Sequence, residues 1–149
     1  VQPLIVLTSV PLAFIGVVFG LTMTNNPMSL MTMYGVVALS GISVNAAIVL
    51  IAAANARIQS GMSILHATIF AARRRVIPIL ITSLTTVAGL FSLAAGVGGK
   101  SLTWGPIATA IVSGLIFSTA LILIVVPLLY YATESLRVRF SATKTEQLL

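Results

Sequence analysis

The sequence predicts an all-α membrane protein, with four transmembrane helices and one cytoplasmic, interfacial amphipathic helix. Three observations predict it. Hydrophobic residues make up 58% of the 149-residue chain and charged residues only 7%, against roughly 25% charged in soluble domains. Four apolar stretches reach the roughly 20 residues that a helix needs to cross the hydrocarbon core. The few charges are also unevenly placed, four arginines falling between residues 55 and 76 and only Lys100 in the other two connections.

The first span is expected at about residues 3–23. Pro3 and Pro11 mark its entry or a kink, because proline donates no backbone hydrogen bond. Gly16 and Gly20 stand four apart, a spacing that lets a second helix approach closely. Thr24-Asn25-Asn26-Pro27 is turn chemistry, and Ser29 suits the cap of the next helix.

The second span, about residues 30–54, holds YGVVALSGISVNAAIVL. Its centre carries Ser40, Gly41, Ser43 and Asn45. An amide at membrane depth is costly unless it finds a partner or lines a wet path. Asn45 is therefore either glue between helices or part of a transport route.

Beyond Ala54 the character changes. Ile58, Met62, Leu65 and Ile69 recur at three- and four-residue steps, while Gln59, His66 and Arg73 fall opposite. This spacing predicts a short helix over about residues 58–75, lying along the membrane surface with its arginines toward anionic head groups. His66 has no second histidine or cysteine near it, so no metal site is expected there.

Pro78 suits a first helical turn, and the third span is expected at about residues 77–96. Thr82, Thr86 and Gly89 share one of its faces. The bland reading of these hydroxyls is a bond to their own helix's carbonyls. Gly96-Val97-Gly98-Gly99-Lys100 is a loop without the spacing of a phosphate-binding motif, and Trp104 anchors its far end at the interface. The fourth span covers about residues 106–131. Ala110, Gly114 and Ser118 form a small-residue packing stripe along it. Residues 133–149 read as a frayed cytoplasmic tail.

Positive residues concentrate on the cytoplasmic side of membrane proteins. That rule places residues 55–76 and the C-terminus in the cytoplasm and both short loops outside. The net charge of +6 is thus read as topology, and no nucleic-acid partner is expected. The chain opens on Val1 with no basic segment ahead of the first apolar run, so it reads as a fragment rather than a signal peptide.

The only acids, Glu134 and Glu146, lie in the tail. A proton relay needs an ionisable group within the membrane, so no complete relay is expected here. There is no serine–histidine pair, metal cluster or paired carboxylate, so enzyme activity and a cofactor are not expected.

GVVALSGISVNAAIVLI, then RRRVIPILITSLTTVAGLFSLAAGVGG, then WGPIATAIVSGLIFSTALILIVVPLLYY together resemble the resistance–nodulation–division superfamily of efflux pumps. Within it they look most like the hydrophobe/amphiphile multidrug branch. The match covers about residues 3–131 and corresponds to the last four helices of a twelve-helix transporter. The resemblance implies a proton-driven antiporter of the bacterial inner membrane, working as a homotrimer with a periplasmic adaptor and an outer-membrane channel. It also implies that the proton-binding aspartates lie in an N-terminal half absent from this chain.

By the same resemblance, Asn45, Thr82 and Arg75 are the aspartates' partners, with Ser43 and Thr86 as polar support. Many relatives have a second asparagine where this chain has Ala46, an acid at Ala52, proline at Ser92 and glutamate at His66. The losses at Ala46 and Ala52 thin the polar path. Drug-binding domains lie outside the chain, so substrate is not legible. A truncated, non-transporting remnant or packing scaffold is the alternative reading, and a small oligomeric channel is a third. Without its other half, the bundle would leave polar faces open to lipid and be poorly stable alone.

Overall fold

The computed structural model describes residues 2–146. Four helices account for most of them: α1 (Gln2–Thr24), α2 (Leu30–Gln59), α3 (Ile64–Ala94) and α4 (Trp104–Glu146). All four are long and apolar enough to cross a membrane.

Local chemistry sets the helix starts. The Ser29 hydroxyl accepts from the Thr32 N–H at 3.3 Å, and the Thr32 hydroxyl accepts from the Ser29 N–H at 3.4 Å. This reciprocal capping box satisfies two donors that the helix start would leave orphaned. Ser63 caps α3 through the His66 N–H and also reaches His66 Nδ1 at 2.6 Å. The Ser101 hydroxyl accepts from the Trp104 N–H at 3.1 Å.

Two stretches differ from the sequence expectation. No separate interfacial helix covers residues 58–75. Ile58 and Gln59 end α2, and residues 64–75 form the first part of α3, continuous with the span that follows. Pro78 therefore lies inside a helix rather than at its start. Proline removes one rung of the ladder, the bond to the Arg74 carbonyl, and the helix tolerates that single loss. Arginine is a good helix former, so the triple arginine ends the apolar run without ending the helix.

The expected frayed tail is likewise helical to Glu146. Nothing after Pro127 breaks α4, and the Thr133 hydroxyl donates to Leu129 and Tyr130 carbonyls at 2.9 and 3.0 Å. At 43 residues, α4 is about 65 Å long, roughly twice the hydrocarbon thickness. Residues 147–149 of the expected tail lie outside the described residues.

Helices α2 and α4 form a central pair. Each packs against every other helix, whereas α1 and α3 flank the pair on opposite sides and do not touch. Small residues set the α1–α4 approach. A Cβ on Gly20 would overlap Ser113, one on Gly16 would lie 2.7 Å from Phe117 Cβ, and one on Gly114 would overlap Leu39. Ala110 and Ser118, the other members of the stripe, are fully buried. Phe19 and Phe117 meet edge to face beside this seam, their centroids 4.7 Å apart.

The core has two parts. Ala13, Val17, Leu21, Leu39, Ala110 and Leu115 fill one end. Ile5, Leu50, Ile51, Ala71, Ile122, Val126 and Tyr130 fill the other, the arginine-bearing end. That second core is closed by a polar knot. Gln2 and Asn55 exchange two amide bonds at 3.0 Å, the Tyr130 hydroxyl donates to Asn55 Oδ1, and Gln2 Nε2 reaches Glu134 Oε1 at 3.4 Å. The knot ties α1, α2 and α4 together. Helix α3 has no part in it.

Candidate functional site: a hydroxyl- and amide-lined cleft between α2, α3 and α4

Helix α3 packs less completely than its neighbours. Its buried residues are Ala67, Thr68, Ala71 and Ile79, none beyond its midpoint, while the shorter α1 buries seven along its whole length. Past Ile79, α3 stands away from α2 and leaves a cleft of about 200 Å³. Ser43, Asn45 and Ala46 line it from α2, Thr82, Ser83 and Thr86 from α3, and Ser118 and Thr119 from α4.

The polar groups in this cleft divide by what they bond. Ser83 and Thr119 share a hydrogen bond at 2.9 Å, which is the direct polar link from α3 to α4. The buried Ser43 hydroxyl donates to Ser118 at 3.4 Å, linking α2 to α4. Thr82 donates to its own helix, to the Pro78 and Ile79 carbonyls at 3.2 and 3.0 Å. Thr86 does the same to the Thr82 carbonyl at 2.9 Å. Their hydroxyl protons are thereby committed, and each oxygen faces the cleft as an acceptor.

Asn45 differs from all of these. It is exposed, and among the described residues its amide takes part in no hydrogen bond. An amide offers two donor hydrogens and one acceptor oxygen, so Asn45 is the one versatile polar group on this wall. Asn45 and Thr82 therefore line one cleft without bonding each other. No lining residue is ionisable, so the cleft offers hydrogen-bond partners and no titrating group of its own.

Arg75 lies apart from the cleft. Seven residues before Thr82, it sits on nearly the same face of α3, about 10 Å along the axis. There it lines a second cleft toward the basic end of the bundle. The structure thus brings Ser43, Asn45, Thr82 and Thr86 together and leaves Arg75 outside. Sequence reasoning missed Thr119 and the Ser83 bond to it. A hydroxyl that bridges two helices has the same sequence signature as one that bonds its own carbonyl.

Residues 1–134 match the AcrB/AcrD/AcrF family. The nickel-cobalt-cadmium resistance protein NccA of Alcaligenes xylosoxydans xylosoxydans is 38% identical over 82% of this chain and 11% of its own length. The multidrug resistance protein MdtC of Erwinia tasmaniensis is 34% identical over 93% of this chain and 14% of its own. Among solved structures, a heavy metal efflux pump superposes with a TM-score of 0.80 at 34% identity, covering 90% of this chain and 13% of that one. The chain spans only about an eighth of the length of such relatives, and it belongs to the AcrB/AcrD/AcrF family of the resistance–nodulation–division superfamily.

Proposed function

We propose that this chain is the C-terminal membrane portion of a proton-coupled efflux transporter, exchanging substrate for protons across the bacterial inner membrane. The observation that carries this reading is the unbonded amide of Asn45, set across an open cleft from the acceptor oxygens of Thr82 and Thr86. An amide serving only as glue would have spent its bonding on a neighbouring helix. This one is arranged to receive a group from outside the chain. A carboxyl group there would accept from Asn45 when ionised, and would donate to Thr82 or Asn45 when protonated. The two protonation states would thereby favour different side-chain arrangements.

On this reading the carboxylates come from an N-terminal half of the same protein. Arg75, on the same face of α3, biases their ionisation from the basic end. The assembly is a homotrimer with a periplasmic adaptor and an outer-membrane channel, and the C-terminus is cytoplasmic. Hydrophobic and amphiphilic compounds are the first reading of the substrate, supported by the motif series and by the likeness to a multidrug resistance protein. Divalent metal cations are the second reading, favoured by the likeness to a nickel-cobalt-cadmium resistance protein and to a heavy metal pump.

Expression of the full-length protein in a pump-deficient host separates them. Raised tolerance to dyes and detergents supports the first substrate class, and raised tolerance to nickel or cobalt supports the second. In either background, Asn45→Ala and Thr82→Ala are expected to abolish tolerance at unchanged abundance. Full tolerance in both variants would remove the assigned roles.

A further inference from the structure

At the basic end, α2 and α3 enclose a second cleft of about 550 Å³. On the α2 side the wall is Ala53 and Ala56, side chains too short to fill the gap. Arg57 stands beside them on α2, and Phe70, Arg74 and Arg75 face them from α3. The Arg57 guanidinium lies 4.2 Å from the centre of the Phe70 ring, and that of Arg74 lies 5.2 Å from it. One aromatic ring thus holds two like charges close together, each by attraction to its π system. Among the described residues no carboxylate lines the cleft, and Glu134 and Glu146 lie in α4. The arrangement suits an anion.

Position says which anion. Arg57 stands three residues beyond Ala54, and Arg74 and Arg75 immediately precede Val76, so all three lie within about one helical turn of where the apolar runs end. That is the level of lipid head groups. Below Arg74 on one side of α3 run Ile77, Ile81 and Leu84, each more than half exposed, a stripe suited to an acyl chain. Guanidinium groups bind phosphate oxygens through paired, charge-assisted bonds, and basic pockets between membrane helices take anionic head groups.

We propose that the Arg57–Phe70–Arg74 cleft binds one phosphate-bearing headgroup of an anionic phospholipid, with Arg75 completing its basic wall. The bound lipid seals the gap between α2 and α3 at the membrane surface. This site is separate from the hydroxyl-lined cleft; it shares Arg75 with the transport reading but rests on Arg57, Phe70 and Arg74 and does not depend on that reading.

Native mass spectrometry of the purified protein in detergent, titrated with phosphatidylglycerol or phosphatidylcholine, tests it. One phosphatidylglycerol is expected to stay bound under conditions that strip phosphatidylcholine. The double variant Arg57→Ala/Arg74→Ala should lower that retention roughly tenfold or more, given two arginines at a surface phosphate. Arg137→Ala/Arg139→Ala removes the same charge from α4 and should leave it unchanged. Phe70→Leu keeps the bulk but loses the π system, and should weaken retention several-fold even if the double variant fails to fold. Equal retention of both lipids, or equal loss in the α4 variant, would overturn the site. Displacement by inorganic phosphate without lipid preference would overturn the lipid and leave a soluble phosphate as occupant.

Discussion

Helices α1 and α3 flank the same pair, and they are held to it in opposite ways. Along α1, glycines take α4 into backbone contact, and buried residues follow one another from Ile5 to Leu21. Along α3, the packing stops at Ile79, and hydroxyls take over. Gly89 shows the contrast most directly, because a Cβ added there would meet nothing, whereas one on Gly20 would collide with Ser113. Small and polar residues in a membrane helix thus mean packing where a neighbour's backbone meets them, and an unfilled site where none does. In lipid there is no hydrophobic drive to close such a gap. On the proposed reading, the open half of α3 is where a group from another part of the protein would fit.

Breaking the α1–α4 seam should have the largest effect. Gly20→Leu forces a side chain into Ser113 and is expected to cost about 3 kcal/mol or more, the upper range of overpacking. A thermal melt in detergent measures it. Gly89→Leu is the matched control, with an expected change within about 0.5 kcal/mol in the isolated chain, as for open sites. The same substitution in the full-length protein should impair export, because the other half would pack there. A large loss of stability for Gly89→Leu in the isolated chain would show that α3 is not open.

A middle-sized effect should come from Ile79→Ala. It removes the last buried apolar side chain of α3 and is expected to cost about 2–4 kcal/mol if the space does not collapse. Hydrogen exchange should then quicken in α3 and leave α1 unchanged. The smallest effect belongs to the hydroxyl bridge. Ser83→Ala is expected to cost about 0.6 kcal/mol, the mean for interhelical bonds in lipid, and Thr119→Val should match it without adding to it. Additive losses would mean that the two hydroxyls act apart.

The sequence carried the four apolar runs, the Ser29 cap and the small-residue seam, because length, cap chemistry and spacing are local signals. It misplaced the start of α3. Arg73, Arg74 and Arg75 end hydrophobicity but not helicity, and Pro78 costs one hydrogen bond rather than a helix. The polar knot was illegible for a different reason. Gln2, Asn55, Tyr130 and Glu134 are brought together from three helices, and no spacing rule links residues so far apart in the chain. The candidate residues from Asn45 to Thr86 were named by resemblance joined to the cost of burying an amide. Their shared cleft follows from the antiparallel α2–α3 pairing, but the separate placement of Arg75 needed the structure.

The central claim is that Asn45 and Thr82 serve a proton carrier rather than the fold. Proteoliposomes containing the full-length protein, with an imposed pH gradient and the proton flux read by a pH-sensitive dye during substrate export, test it most directly. Asn45→Ala and Thr82→Ala are each expected to abolish substrate-dependent proton flux while the melting temperature stays at the unsubstituted value. Undiminished flux in these variants, or a loss of flux that merely follows a loss of folded protein, would contradict it.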